Sequence, residues 1–303
     1  MKRGLLIVTI TAIVVALAVG HKPATAPENT APNVPDTEIQ EVKISILPET
    51  ILQGDPAEVV VENIGTSTIK SLTFQGKPLG VFTYNDKPTA LIGIDLKMPV
   101  GVYPLFLSLS DGRTLRKNLI ISKRQIVTAP LGIPESLGGN TPEAANNLIA
   151  TLAEENAIIN SVPSENALLW SGPFRFPLEK VEITDVYGYT RSTVNTTISH
   201  KGTDFRAAVG TPVYAMNSGK ARLVREFRNY GKTIIIDHGF GLQTIYMHLS
   251  EVSIEEGQNV SKGQSIGKSG QTGYAEFPHL HISVKISGIS IDPMKFMALF
   301  VSI

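Results

Sequence analysis

Cysteine is absent from the 303 residues. Disulfides, thiol nucleophiles and cysteine-ligated zinc are thereby excluded, as is the cysteine that an N-terminal lipid anchor requires. Any bound metal must be held by His, Asp or Glu. An excess of one charge is equally lacking, since 27 Lys and Arg stand against 27 Asp and Glu. Nucleic-acid binding normally needs a basic patch or stripe, so the balance gives no electrostatic case for a nucleic-acid partner, and none is expected.

A long apolar run occurs at one end only, from Gly4 to Gly20, directly after Met1-Lys2-Arg3. A basic start before an uncharged apolar stretch is the layout of an export signal. Ala16-Leu17-Ala18 offers a signal peptidase its small-x-small pattern, while the run is also nearly long enough to cross a bilayer uncleaved. Residues 1–20 therefore read as a signal peptide or an N-terminal membrane anchor. Either places the chain in the periplasm, the cell envelope or outside the cell, with the inner membrane as a partner through residues 4–20 in the anchored case. Residues 21–37, rich in Pro, Thr, Ala and Asn, read as a disordered spacer.

The remaining length suggests two domains. From residue 38 to 123 apolar and polar residues alternate in short runs, as at Val42, Ile44 and Ile46 and again at Ile92, Ile94 and Leu96. Turn signals separate the runs at Gly54-Asp55-Pro56, Asn63-Ile64-Gly65 and Asp111-Gly112. The pattern predicts a small immunoglobulin-like β-sandwich without catalytic chemistry of its own. Residues 124–165 form a linker in which Thr141-Pro142-Glu143 starts a helix, with Thr as N-cap, Pro at the first helical position and an acid in the first turn. From residue 166 to 303 strand chemistry is expected to the end, giving an all-β fold. The cations Lys220, Arg222, Arg225, Arg228 and Lys232 lie close together there and read as a solvated hairpin, or as an attraction for an anionic polymer.

Six histidines occur in the whole chain, and four fall in three short motifs of the last domain: His200-Lys201-Gly202-Thr203-Asp204, Tyr246-Met247-His248-Leu249 and Pro278-His279-Leu280-His281. On a strand, His279 and His281 share a face and Leu280 takes the other. Alone, a His-x-His pair is better explained by a plain strand than by a metal site. His200 and Asp204 are also spaced by an even number of residues, so an extended segment puts imidazole and carboxylate on one side, with Gly202 letting the backbone bend between them. An imidazole, a carboxylate and a second imidazole with one tetrahedral position open is the ligand arithmetic of catalytic zinc, whose chemistry is amide hydrolysis. The helical HExxH motif is missing. His238 reads as structural and His21 as a solvated residue of the spacer.

These residues carry a resemblance. HKGTDF at 200–205, GTPVYA at 210–215, TIIIDHGFGLQTIYMHLS at 233–250, GQSIGKSGQTG at 263–273, PHLH at 278–281 and DP at 292–293 resemble, in order, the lysostaphin and LytM-type (beta-lytic) peptidoglycan metallopeptidases. The resemblance implies an antiparallel β-sheet domain with a duplicated hybrid motif. It implies one zinc ion per catalytic domain held by His200, Asp204 and His281, with His248 and His279 acting on the attacking water, the tetrahedral intermediate and the leaving amine. The implied partner is peptidoglycan, cut in its peptide stems or cross-bridges; protein partners are left open. The alternative within the same resemblance is a weakly active or noncatalytic wall-binding activator of another hydrolase, which loss of a ligand would favour, and no ligand is lost. Residues 90–112 resemble the small β-domain that precedes the catalytic domain in some exported members. Three departures stand out: Tyr187 where Phe is common before Gly188, Phe277 where a glycine usually precedes PHLH, and Ile282-Ser283 where Phe-Glu is common. The second bears on substrate preference rather than on metal binding.

Overall fold

A computed structural model describes residues 41–130, 132–133, 138–192 and 197–300. The export segment expected at residues 1–20 and the spacer at 21–37 lie outside the described residues. Among the described residues no helix is long and apolar enough to cross a membrane.

The alternating N-terminal region forms strands β1 (Lys43–Leu47), β2 (Ile51–Leu52), β3 (Pro56–Glu62), β4 (Ile69–Phe74), β5 (Lys77–Pro78), β6 (Phe82–Tyr84), β7 (Lys87–Gly93), β8 (Gly101–Leu109) and β9 (Thr114–Ser122). Among the described residues they pair into two sheets, ordered β1-β3-β7-β6 and β2-β9-β8-β4-β5. The period-2 pattern sends Val59, Val61 and Ile92 from one sheet, and Leu72, Leu107 and Ile121 from the other, into a shared core. The Asp111-Gly112 signal does join two strands, β8 and β9, in antiparallel register from Ser108 opposite Thr114.

Helix α1 (Pro142–Ser161) starts where the sequence predicts. The Thr141 side chain accepts a hydrogen bond from the Ala144 backbone at 3.1 Å, satisfying one of the donors that a helix start leaves unpaired. The C-terminal region is then a large antiparallel sheet. Its described strands run in the order Ile183–Asp185, Thr203–Arg206, His279–Ile286, Leu242–Leu249, Gly231–Gly239, Gly219–Phe227 and Asn259–Val260, with Ile289–Ile291 also pairing with His279–Ile286. One face supplies Phe205, Leu280, Ile282, Tyr246 and Ile234 to the main core. The other supplies Ile235, Ile245 and Met247, which Ile159 of α1 covers. Burial on both faces explains why these strands read as continuous apolar runs rather than strict alternation.

The expectation of strands to the C-terminus needs correction, and the fold is mostly β rather than all-β. Residues Pro293–Phe300 form a second helix, α2. Asp292 Oδ1 accepts from the backbone of Met294 at 2.9 Å and of Lys295 at 3.3 Å, and Pro293 follows as the first helical residue, a start signal that the DP match obscured. Phe296, Met297 and Phe300 bury against the main core.

That core is not confined to the C-terminal region. Phe82 and Leu91, from β6 and β7, belong to it. The Phe82 ring lies 6.0 Å from that of Trp170 and 5.3 Å from that of Phe240, and Tyr84 lies 4.8 Å from Trp170. The two β regions thus share buried aromatic surface, where edge-to-face and stacked pairs add to the area removed from water.

Candidate metal centre

The strand Thr203–Arg206 pairs with His279–Ile286 so that Asp204 sits directly opposite His281. Strand alternation puts both side chains away from Phe205 and Leu280, which go to the core. His200 enters from the segment before Thr203 and is held at three points by the turn at 186–189. Its N–H donates to Tyr189 O at 2.7 Å, its C=O accepts from Gly188 N at 2.8 Å, and Nδ1 meets Val186 O at 3.0 Å. Gly202 is needed for a different reason from the one its sequence suggests. A Cβ there would lie 2.4 Å from His281 Nε2, so it lets the ligand ring close over the chain rather than supplying a bend.

The three expected ligands converge. His200 Nε2 is 3.1 Å from Asp204 Oδ1, His281 Nδ1 is 2.7 Å from the same oxygen, and the two ring nitrogens are 3.0 Å apart. Among the described residues these three form a group able to hold a metal ion, with ligand atoms within 4.8 Å of one another. Hydrogen bonding behind the rings decides which nitrogens face inward. A carbonyl can only accept, so the His200 proton is on Nδ1, toward Val186 O. Ser283 Oγ donates to Lys201 O at 2.8 Å and is 2.9 Å from His281 Nε2. With the serine proton committed to the carbonyl, Nε2 of His281 carries its ring proton and Nδ1 presents a lone pair. Two imidazole lone pairs and a carboxylate oxygen pointed at one another repel until a cation stands among them, and ligand histidines anchored through their far nitrogen are the usual support of a metal site. The donor set fits a divalent metal of the zinc type.

The electrostatics agree. Burial tends to raise the Asp204 carboxyl, but interaction with the His200 and His281 imidazoles holds it well below the usual carboxylate range. Burial pulls His200 down, and hydrogen bonding and charge from Asp204 outweigh it, so this imidazole stands above its ordinary value. Burial also depresses His281, partly offset by Asp204.

His248 and His279 join the same locus but not the ligand triangle. Their rings are 4.8 Å apart, and that of His248 is 6.0 Å from His281. His279 Nε2 is 3.8 Å from Asp204 Oδ1. Each is anchored through Nδ1, His248 to Thr272 O at 2.8 Å and His279 to Phe277 O at 2.7 Å. Burial, reinforced by His279 and His281, pushes His248 down to about 3. At neutral pH it is therefore uncharged, with its one proton on Nδ1 and Nε2 free to accept. Simple alternation would send His248 into the core beside Tyr246; instead its backbone is left-handed, φ +60°, a conformation of order 1–3 kcal/mol in cost that non-glycine residues adopt where surroundings force it.

His238 stays out of the site, as its sequence context suggests. It is fully buried, with Nδ1 on Ser218 O at 2.7 Å and Nε2 on Thr244 Oγ1 at 2.8 Å. Burial pushes it from 6.5 down to about 4. Between those values the unfolded chain binds a proton that the folded chain refuses. Stability from this group is therefore complete above about pH 6.5 and declines as pH falls toward 4, by on the order of 3 kcal/mol. Urea unfolding at pH 7.5 and 4.5 should show a smaller difference for His238→Gln than for the parent; equal differences would remove His238 as the cause.

Two of the five clustered cations have side chains with polar partners among the described residues. Arg222 pairs with Glu165 and with the fully buried Asp237, and Lys232 Nζ donates to Ser250 O at 3.0 Å. The supporting acceptors Val186 O, Thr272 O and Phe277 O carried no sequence signal, because any residue has a carbonyl. Ser283 did carry one, as a departure from the Phe-Glu pattern. Phe277 is 70% exposed, so its side chain projects beside the site rather than filling the core.

Residues 198–293 match the model of Peptidase family M23. Over 96 residues the chain is 42% identical to the peptidoglycan DD-endopeptidase ShyA of Vibrio cholerae, covering 32% of this chain and 22% of that one. Over 125 residues it is 34% identical to the peptidoglycan DD-endopeptidase ShyB of the same organism, covering 40% and 29%. The chain thus spans less than a third of the length of these curated relatives. A solved Pseudomonas aeruginosa structure described as a peptidase M23 superposes with a TM-score of 0.60 at 24% identity, covering 82% of this chain and 95% of that one, a likeness of fold.

Proposed function

We propose that the C-terminal region of this chain, whose residues 198–293 match the model of Peptidase family M23, makes the protein an exported zinc endopeptidase that hydrolyses amide bonds in the peptide part of peptidoglycan. The observation that carries the reading is the convergence of His200 Nε2, Asp204 Oδ1 and His281 Nδ1, with both imidazoles anchored from behind. Those three residues would hold zinc, one ion per catalytic domain. Bound there, zinc supplies a Lewis acid for the scissile carbonyl and brings the pKa of a water to about 7.

The chain's own residues do the rest. Asp204 contributes a carboxylate kept ionised by its two histidines, which offsets the positive charge of the centre. Ser283 and Val186 O fix the tautomers of His281 and His200. His248 and His279, held by Thr272 O and Phe277 O, leave Nε2 free to accept a proton from the attacking water. The same atoms can return it to the leaving amine and hydrogen-bond the oxygen that gains charge.

The wider reading follows. The sheet orders β1-β3-β7-β6 and β9-β8-β4-β5 support an immunoglobulin-like sandwich at residues 38–123, being its two sheets in their usual succession. Residues 124–165 would be the helix-bearing linker and 166–303 the peptidase domain with the duplicated motif. Export through residues 1–20 would bring the enzyme to its polymer in the envelope, with or without retention in the inner membrane.

The test is to incubate the purified protein with isolated peptidoglycan, with chelator, and with chelator followed by zinc, and to read the released fragments by mass spectrometry. Peptide-bond products that vanish on chelation and return with zinc are expected. Intact peptidoglycan from several wall types under all three conditions would overturn the reading.

A further inference from the structure

The turn that grips His200 is itself gripped by the N-terminal β region. Tyr187 lies in the middle of that turn, between Val186, whose carbonyl orients the ring, and Gly188, whose N–H binds the His200 carbonyl. Its side chain is 4% exposed. The ring packs so closely on Gly54, in the loop between β2 and β3, that a Cβ at that glycine would lie 2.4 Å from Tyr187 Cε1. Gly54 has φ +85°, so both its conformation and its neighbour require glycine.

Over the Tyr187 ring stands the guanidinium of Arg124, 5.3 Å from the centroid. That cation is fixed from both β regions: Nη2 on Asp55 Oδ1 at 2.5 Å, Nη1 on Asp292 Oδ2 at 3.0 Å and Nε on Gln53 O at 2.6 Å. Asp292 N donates to Gly54 O at 2.7 Å, and Tyr187 Oη donates to Ser290 O at 2.8 Å. An Arg whose side chain is largely covered, with each guanidinium nitrogen bonded to a carboxylate or carbonyl and a ring against its face, is held in place, because moving it would break all three bonds.

We infer that Tyr187 and Arg124 are positioning residues of the metal centre, through which the N-terminal β region sets the orientation of the ligand His200. The path is short: Asp55 and Gln53 fix Arg124, Arg124 and Gly54 seat Tyr187, and Tyr187 places the Val186 carbonyl that commits His200 Nδ1. Tyr187 stands where Phe is common in the resembling family. Its hydroxyl bond to Ser290 O adds an anchor to a seat that the ring alone largely defines. The N-terminal β region then contributes to how tightly the centre holds its metal, although none of its described residues is in the converging ligand group.

The inference rests on the reading that His200 is a metal ligand, so the test measures zinc affinity by competition with a chromophoric chelator on the full chain rather than turnover. Tyr187→Leu keeps the apolar bulk but loses the ring face and the hydroxyl, and its zinc Kd should rise about 10-fold or more, as for other losses behind a metal ligand. Tyr187→Phe should restore affinity to within about 3-fold of the parent. Phe82→Ala removes its ring contacts with Trp170 and Phe240 between the β regions without touching the 186–189 turn. It should lower the melting temperature and leave the Kd unchanged. A folded Tyr187→Leu chain with parental Kd, or an equal Kd shift in Phe82→Ala, would overturn the inference. Should Tyr187→Leu not fold, Arg124→Lys decides the matter: it keeps a cation between Asp55 and Asp292 but not the planar face, and a parental Kd there overturns the inference. His281→Ala serves as reference: if it too binds zinc like the parent, the ligand assignment fails, whatever Tyr187 does.

Discussion

His281→Ala is expected to lose both zinc and cleavage. In the proposed zinc site the ring would supply one of three protein donors, at 2.7 Å from Asp204 Oδ1 and 3.0 Å from His200 Nε2. Removing it leaves one imidazole and one carboxylate, too few for a stable catalytic site. Nothing nearby replaces it well. His279 Nε2 is 3.8 Å from Asp204 Oδ1, outside the ligand triangle, and its other nitrogen is committed to Phe277 O. Metal content by mass spectrometry should fall from about one zinc per chain to a small fraction, and release of peptide fragments should fall to background. Far-UV circular dichroism checks that the sheet survives. His238→Gln, a change at a buried histidine remote from the ligands, should keep its zinc and so separate metal loss from general damage. Full zinc occupancy in folded His281→Ala would refute the assignment of that ligand.

The site was more legible in the sequence than its surroundings. His279 and His281 could be placed on one face because a strand has period 2, and the register that sets Asp204 opposite His281 obeys the same rule from the other strand. His200 and His248 obey no such rule. His200 is held by a turn whose binding groups are backbone carbonyls and amides, which every residue has, so the residue type carries no trace of the contact. His248 reaches the locus through a left-handed backbone that reverses its expected side, and here the resemblance alone placed it. The helix α1 announced itself through Thr141 and Pro142, since capping is local chemistry. What it covers did not, because Ile159 meets Ile245 and Met247, and such long-range packing is set by the whole fold. The sharing of Phe82 and Leu91 with the C-terminal core was invisible for the same reason, as was the Arg124 clamp, whose partners Asp55 and Asp292 are 69 and 168 residues away along the chain. The period of 2 that found the strands also led past α2, where the start signal Asp292-Pro293 was absorbed into a family match.

His248→Ala is expected to separate binding from turnover. His248 is not among the three residues whose ligand atoms converge, and its ring lies 6.0 Å from that of His281, so zinc should remain at about one per chain. Its Nδ1 proton is committed to Thr272 O, which leaves Nε2 as the acceptor facing the centre. Loss of such a group removes proton transfer and hydrogen bonding that matter most in the transition state. The drop should therefore appear in kcat, by about 100-fold to 10,000-fold, with little change in KM. Alanine also inherits the backbone at φ +60°, which it tolerates poorly, so part of any loss could be conformational. His248→Asn controls for this, because asparagine adopts the left-handed region readily while lacking the imidazole. If the imidazole is what matters, both variants keep their zinc and lose turnover to a similar extent. Parental turnover in either variant would sink the proton-transfer role, and loss of zinc from His248→Asn would move His248 into the ligand set.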